Sequence, residues 1–465
     1  MSNLLRFQFY KGNLLKLDVK PLFGRRLASN GSFSATENDS ICELAASNLR
    51  FGPGSTSEVG QDLAFLKAKR IMVITDPTIA KLPPMQVLLE SLERSQLTPI
   101  VFQDVRVEPN DVSFQRAIQA FSESPYDAVV ALGGGSVMDT AKAANLYATY
   151  PPENFYDYVN PPLGKGLPVP GPLPPLIAIP TTAGTGSETT GVAIFDDSAT
   201  HSKTGIADRR LKPTLGIVDS DNTASLPATV ATYSGLDVLC HAIESYTALP
   251  FSQRPKPSSP ILRPAYQGAN PISDVWSLYA LETTAKYLRR AQDSSDVEAR
   301  AQMLLASSAA GLGFGNAGVH LCHGLSYAVA SQVKTYQPDG YDTDHAVVPH
   351  GLSVIVNAPA VFSFTGIANP ERHATCARIL QEARTGEAAI PSKDAGRWLA
   401  DEIKLLCQDL GCVPMGLTTF GYTEDDIPSL VQGTLPQHRV TKLSPRPVGE
   451  PELQALFMHA LNESY

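Results

Sequence analysis

Asp237 and His241 are four residues apart in the run Ser234-Gly235-Leu236-Asp237-Val238-Leu239-Cys240-His241-Ala242-Ile243-Glu244-Ser245-Tyr246. That spacing puts both side chains on one helical face, and Leu236, Leu239 and Ile243 supply an apolar stripe beside them. A carboxylate and an imidazole so placed can reach one divalent cation, or they can simply hydrogen-bond to each other. Two further histidines favour the cation. His323 lies in Leu321-Cys322-His323-Gly324-Leu325, and His350 lies in Val348-Pro349-His350-Gly351-Leu352. Each is followed by glycine in apolar surroundings, where a polar ring without a partner is costly. One carboxylate and three imidazoles form a four-ligand set suited to Zn2+ or Fe2+, and the site charge of about +1 is left to polarise a substrate oxygen. His320 adjoins this set. His201, His345, His373, His438 and His459 read as surface or capping residues, and Cys240 and Cys322 as packing residues on other helix faces.

A second group of residues suits phosphates. Gly133-Gly134-Gly135-Ser136 follows an apolar run and opens a helical stretch. Glycines let the backbone turn sharply and approach a ligand, and the first amides of the helix then point outward with the positive end of the dipole behind them. Met138 stands where the third glycine of G-x-G-x-x-G would be, so the common dinucleotide fingerprint is not met, and a plain tight turn is the other reading. The nearby run Pro180-Thr181-Thr182-Ala183-Gly184-Thr185-Gly186-Ser187-Glu188 adds the hydroxyls and free amides that a nucleotide's ribose and phosphates need. Asp76, at the end of another apolar run, can accept bonds from an adenosine ribose diol and would repel a 2′-phosphate, which favours NAD over NADP. A helix or turn cap is its alternative role.

The elements that must position these residues fall into two textures. Short β-branched runs at 70–75, 99–102, 128–132, 176–179 and 216–218 alternate with helical spacing at 85–96, 112–122 and 137–150. Strand–helix alternation predicts a parallel, Rossmann-like sheet covered on both faces over residues 40–225. From 226 to 465 long amphipathic stretches replace the strands (234–249, 272–290, 297–312, 320–331, 394–410 and 451–462), which predicts an all-helical metal-binding, catalytic domain. Proline-rich segments at 161–175 and 250–271 interrupt the pattern, and the second reads as an extended surface excursion.

Composition narrows the function classes. The chain has 465 residues and a formal net charge of −9, which disfavours a nucleic-acid partner. No stretch approaches the roughly 18 apolar residues of a membrane span. Six cysteines without a C-x-x-C pair fit a reducing compartment. Residues 1–36 are different: Arg6, Lys11, Lys16, Lys20, Arg25 and Arg26 face the single acid Asp18, beside leucines and a serine-rich run. That is the composition of a mitochondrial targeting segment, the alternative being a basic tail with no address.

Together the motifs resemble the iron-dependent (group III) alcohol dehydrogenase family. They are G-G-G-S-x-x-D-x-x-K (133–142), T-T-A-G-T-G-S-E (181–188), D-x-x-x-H-A-x-E-x-Y (237–246), H-G at His323 and P-H-G at 349–351, in the family's order over roughly residues 45–460. The resemblance implies Asp237, His241, His323 and His350 as ligands of one divalent metal, Fe2+ by the family's habit. It also implies NAD contacts from Asp76, Asn110, Gly134, Gly135, Ser136, Asp139, Thr181, Thr182, Thr185 and Lys203. One departure stands out: Tyr327 occupies the position four residues after His323 where many members carry a further histidine, so the resemblance does not extend to a histidine proton relay there.

Within the family, runs such as Val105-Arg106-Val107-Glu108-Pro109 and Arg263-Pro264-Ala265-Tyr266-Gln267-Gly268 resemble a branch of the mitochondrial matrix. The resemblance implies hydride transfer on retained NAD, from 4-hydroxybutyrate to give succinate semialdehyde, then to 2-oxoglutarate to give D-2-hydroxyglutarate. Such carboxylates call for cationic groups near the metal, and Arg254, Arg263, Lys334 and Lys203 are the candidates. A homo-oligomer is compatible with the sequence. The rival readings are an NAD-linked alcohol dehydrogenase with freely exchanging cofactor, a lyase or cyclase on the same architecture, and a non-catalytic nucleotide-binding protein.

Overall fold

The computed structural model describes residues 38–463 except 201, 342, 344, 390 and 391. The targeting segment expected over 1–36 lies outside the described residues, as does His201.

Eight strands are present among the described residues: β1 (Asn48–Phe51), β2 (Ile71–Ile74), β3 (Pro99–Phe102), β4 (Ala128–Gly133), β5 (Leu176–Pro180), β6 (Val192–Asp197), β7 (Ser202–Ala207) and β8 (Leu215–Val218). Six form one sheet in the order β1-β8-β5-β4-β2-β3, with every adjacent pair parallel. The helices between them are α1 (Val59–Phe65), α2 (Pro83–Arg94), α3 (Asp111–Glu123) and α4 (Gly135–Thr149). Their packing explains the unbroken apolar runs of the inner strands. Ile71 and Val73 join Leu63 of α1 and Leu88 of α2, whereas Met72 and Ile74 join Phe121 of α3 and Val137 of α4. Successive side chains point to opposite faces, so a strand covered on both sides is apolar at every position. The edge strands β1 and β3 are partly exposed.

The pair β6–β7 is an antiparallel hairpin outside this sheet, and it is absent from the predicted elements. Asp196 sits directly opposite Lys203 in its register. Polar residues inside the strands break the apolar pattern that marks the others.

The second half is helical, as its periodicity predicts: α5 (Ala228–Thr247), α6 (Pro271–Tyr287), α7 (Val297–Ala317), α8 (Leu321–Ser331), α9 (His350–Ile355), α10 (Ala358–Thr365), α11 (Pro370–Thr385), α12 (Ala395–Leu410), α13 (Ile427–Thr434), α14 (His438–Thr441) and α15 (Glu450–Leu461). Helix α5 runs through its centre and packs on α6, α7 and α9. No helix among the described residues is long and apolar enough to cross a membrane.

Two expectations need correction. The segment 250–271 is only partly an exposed excursion. Ile261 and Leu262 are exposed, but Tyr266, Gln267, Ala269 and Asn270 are buried, and the Asn270 side chain caps the start of α6. His373 is not a surface residue: it is fully buried, with Nε2 bonded to Thr365 Oγ1 at 2.8 Å and Nδ1 to the Asn369 carbonyl at 2.7 Å.

Candidate active site

The structure brings Asp237, His241, His323 and His350 to one point. One ligand atom from each lies within 4.8 Å of the others. Asp237 and His241 come from α5, His323 from the first turn of α8, and His350 opens α9. The Oδ1 atom of Asp237 is 3.6 Å from Nε2 of His241, 3.3 Å from that of His323 and 3.7 Å from that of His350. Four tetrahedral ligands each about 2.1 Å from an ion stand about 3.4 Å from one another, so the spacing is that of a coordination shell. At 3.6 Å the Asp237–His241 contact is too long for the hydrogen bond that was the alternative reading. Asp237 Oδ1 and His323 Nε2 are both buried with no hydrogen-bond partner. Burying such atoms unpaired is expensive, and a cation shared among them removes the cost. The residues present therefore fit a divalent metal.

Local structure fixes the set. Glu244, one turn after His241 on α5, is fully buried. Its Oε1 accepts from the backbone amides of His320 (3.1 Å) and Cys322 (2.7 Å), capping the otherwise open N-terminus of α8. Its Oε2 pairs with Nδ1 of His323. That bond keeps a proton on Nδ1, so Nε2 is the nitrogen that gives up its proton to a metal. The His241 ring is oriented by stacking on Phe314, with centroids 3.8 Å apart. Gly351 permits α9 to lie against α5: a Cβ there would stand 1.9 Å from the Tyr233 carbonyl oxygen.

Electrostatics agree with this arrangement. Burial works against a charged Asp237, but the three histidines hold its carboxyl well below the usual range. Burial pushes His241 down to about 3 and also lowers His350, so both rings are neutral and able to coordinate. His323 goes the other way: burial disfavours its charge, but Glu244 and Asp237 raise it well above an ordinary histidine.

A cavity of about 510 Å³ runs from this cluster to the C-terminal edge of the sheet. Chain order reverses there, because β3 lies on one side of β2 and β4 on the other. Ligands of open parallel sheets bind in such a crevice. Asp76, Gly134, Gly135, Ser136, Asp139, Thr181, Thr182, Thr185 and Lys203 all line the cavity. Gly134 is the N-cap of α4 and brings no side-chain cap, which leaves the helix start to a ligand. The two motif turns touch: a Cβ on Gly135 would stand 2.5 Å from the Thr185 methyl group. Asp76 caps its own turn by accepting from the amides of Thr78 and Ile79 at 2.9 Å, and it still faces the cavity. Asp139 accepts from Ser187 Oγ at 2.7 Å and from the Ile194 amide at 3.0 Å, tying the glycine turn to the hairpin. Asn110 is different. Its side chain caps α3 in a reciprocal box with Ser113, and it lies beside a smaller neighbouring cavity rather than in the main one.

The cationic residues sort clearly. Arg254 and Arg263 are bound to Asp39, and Arg263 also to Glu43, so neither faces the cavity. Lys334 pairs with Asp426 at 2.8 Å on the surface. Lys203 does line the cavity, but Glu108 (2.5 Å) and Asp196 (3.5 Å) bracket its ammonium. Burial opposes that charge, and the two carboxylates hold it well above an ordinary lysine.

Two acids were not singled out from the sequence. Glu244 stands in the quoted motif, three residues after His241, and that spacing was its available signal. Glu108 has φ +52°, a left-handed backbone that a non-glycine residue rarely adopts, and its carboxylate faces the cavity. Its amide donates to Ser136 Oγ at 3.1 Å. No sequence pattern marks such a conformation.

Comparison with known proteins agrees with the geometry. Residues 46–220 match the family model "Iron-containing alcohol dehydrogenase", and 265–461 match "Fe-containing alcohol dehydrogenase family, C-terminal". The chain is 56% identical over 421 residues to a mouse (Mus musculus) protein named "Hydroxyacid-oxoacid transhydrogenase, mitochondrial", covering 90% of each chain. It is 54% identical over 426 residues to the human (Homo sapiens) protein of the same name, covering 91% of this chain and 90% of that one. Among solved structures, a 1,3-propanediol oxidoreductase superposes with TM-score 0.77 at 27% identity, covering 90% of this chain and all of the other. The iron-containing alcohol dehydrogenase of Thermococcus thioreducens superposes with TM-score 0.75 at 25% identity, covering 91% and 100%. The chain is an oxidoreductase and belongs to the iron-containing alcohol dehydrogenase family.

Proposed function

We propose that the chain is a mitochondrial hydroxyacid–oxoacid transhydrogenase, which oxidises 4-hydroxybutyrate to succinate semialdehyde and reduces 2-oxoglutarate to D-2-hydroxyglutarate on one retained NAD. The observation that carries the chemistry is the Asp237 oxygen, buried without a hydrogen bond and ringed by three imidazole nitrogens, at one end of a cavity whose other end is an open helix N-terminus. The pairing of a hydroxyacid with an oxoacid is supported by 54–56% identity, over nine-tenths of the chain, to proteins named hydroxyacid-oxoacid transhydrogenase, and the choice of the two acids by the resemblance of the sequence motifs.

In this reading Asp237, His241, His323 and His350 hold the metal, Fe2+ first and Zn2+ second. Gly134, Gly135, Ser136, Thr181, Thr182 and Thr185 receive the cofactor's phosphates and riboses, and Asp76 its adenosine ribose. When bound, the ion supplies Lewis acidity to a substrate oxygen and NAD supplies a hydride acceptor and donor. The protein does the rest. The α/β portion (40–225) holds the cofactor and the helical portion (226–465) the metal ligands. Glu244 keeps the His323 proton on Nδ1. Phe314 and Tyr266 line the cavity beside the ligands with apolar surface, limiting water there. Glu108 and Lys203, rather than a histidine at position 327, form the charged pair next to the ligands; burial opposes the Glu108 charge, and Lys203 and His350 hold its carboxyl below the usual range. Asp139 and Asn110 act as positioning residues of the turns around the cofactor. The basic, acid-poor composition of residues 1–36 and the relatives' names support a location in the mitochondrial matrix.

The test is to incubate purified protein with 4-hydroxybutyrate and 2-oxoglutarate, without added NAD, and to assay D-2-hydroxyglutarate. Its formation is the expected result. Product that appears only when NAD is supplied, or reduction of added NAD by the alcohol alone, identifies an ordinary dehydrogenase with exchanging cofactor.

A further inference from the structure

Arg439, on the short helix α14, has an unmet need for an acceptor. Its Nη2 donates to the Tyr327 hydroxyl at 2.9 Å, and its guanidinium lies 4.9 Å from the centre of the Tyr266 ring. Its Nη1 is buried and has no hydrogen-bond partner among the described residues. No carboxylate of the described residues neutralises it, in contrast to Arg254 and Arg263, which share Asp39. Arg439 does not line the main cavity but borders a smaller one beside Lys203 and Gln437, so its positive charge reaches the main cavity only through the Tyr327 hydroxyl that it holds.

Tyr327 carries this cation's influence into the active site. It sits one turn after His323 on α8, on the same helical face, and both residues line the main cavity. A phenol oxygen that accepts from a guanidinium keeps its own hydrogen for another acceptor. Among the described residues nothing takes that hydrogen. Lys203 is not an alternative seat, because Glu108 and Asp196 already hold its ammonium.

We propose that the Tyr327 hydroxyl, polarised by Arg439 behind it, forms the seat for the substrate carboxylate that lies three carbon–carbon bonds from the reacting carbon, with Arg439 as a positioning residue. The inference rests on the transhydrogenase reading for its substrates, and their chemistry sharpens it. In 4-hydroxybutyrate the carboxylate is three such bonds from the carbinol carbon. In 2-oxoglutarate the distal carboxylate is three from the keto carbon. One seat therefore serves both half-reactions and places both reacting carbons alike. The extra carboxylate of 2-oxoglutarate adjoins the reacting carbon and stays on the side of the metal ligands. Tyr327 thus takes over a position where other members carry histidine and turns it to recognition of an anion.

The probe is butyrate, which has the carboxylate and nothing to oxidise, compared with butyramide, its neutral equivalent. Calorimetric binding to the enzyme loaded with metal and NAD is measured for wild type, Arg439→Gln, Arg439→Lys and Tyr327→Phe. The wild type is expected to prefer butyrate. Arg439→Gln and Tyr327→Phe should weaken butyrate about 10- to 100-fold and leave butyramide unchanged, with Arg439→Lys intermediate. KM for 4-hydroxybutyrate and 2-oxoglutarate should rise in step, with the smaller change in kcat. Equal losses for butyrate and butyramide would mark a structural role and overturn the proposal, as would butyrate binding that survives in both variants. Failure of the parent reading looks different: the wild type would prefer butyrate but form no D-2-hydroxyglutarate.

Discussion

Gly351 and the Tyr233 carbonyl meet where α9 crosses α5, so closely that a methyl group on Gly351 would stand 1.9 Å from that oxygen. The same added carbon would also approach Asp237, whose Cβ is 3.1 Å away. His350 is the neighbouring residue, so its reach to Asp237 depends on this contact. Gly351→Ala must separate the two helices, and overpacking of this kind costs about 1–3 kcal/mol. The variant should bind Fe2+ or Zn2+ more weakly while its sheet portion still binds NAD. Metal titration followed by NAD titration on the same sample checks this, and loss of NAD binding in parallel would count against a local effect.

Glu244 performs two tasks, capping α8 and fixing the His323 tautomer. Glu244→Gln keeps the size and one carbonyl acceptor for the amides, but its NH2 group cannot accept the Nδ1 proton. Loss of such an outer partner lowers metal affinity about 10- to 100-fold. The expected outcome is weaker metal retention with near-normal helical content by circular dichroism. Unchanged retention would show that the carboxylate does not set the ligand.

Metal uptake should depend on pH through His323. Its folded pKa is raised, against burial, by Glu244 and Asp237. In the metal-free protein the extra proton therefore stabilises the fold. That contribution is complete below about pH 6.5, the ordinary histidine value, and is lost as pH rises through the higher folded value. A metal competes with the same proton. Apparent metal affinity should rise by up to about tenfold per pH unit until the folded pKa is passed, and then level off. Thermal stability with and without metal across pH checks this: the gap should widen as pH rises. A constant gap would mean that no proton leaves.

The donors of the site were legible because each carries its chemistry in its residue type and a local spacing: the Asp237–His241 interval, the glycine after His323 and after His350, and the glycine turn at 133–135. The inner strands were legible because burial on both faces leaves an unbroken apolar run. What could not be read depends on distant partners. Arg254 and Arg263 are cations of the right kind, but they are consumed by Asp39, more than 200 residues earlier in the chain. Glu244 shares a helix with Asp237 and His241, yet its meaning comes from His323, 79 residues on. The β6–β7 hairpin escaped because Asp196 and Lys203 pair across it at the cavity and interrupt its apolar pattern. His373 reads as a surface residue until Thr365 and Asn369 are seen to satisfy both ring nitrogens.

Asp76 should decide between the two nicotinamide cofactors. Its carboxylate closes β2 and faces the cavity where an adenosine ribose would lie. A 2′-phosphate there meets a like charge within a few ångströms, worth about 1–4 kcal/mol between surface and bulk-water screening. Asp76→Ser should raise NADP affinity by at least about tenfold and lower NAD affinity, because the ribose loses its acceptor. Fluorescence titration with both reduced cofactors checks it, and unchanged discrimination would remove Asp76 from the cofactor site.

The most direct measurement is metal stoichiometry. Purified protein is reconstituted anaerobically with Fe2+, desalted and analysed for metal, beside Asp237→Ala, His323→Ala and Arg439→Gln. One ion per chain is expected in the wild type and in Arg439→Gln, and none in the two ligand variants. A wild type that retains no ion, or an ion that survives in both Asp237→Ala and His323→Ala, would contradict the assignment of these four side chains to a single catalytic metal.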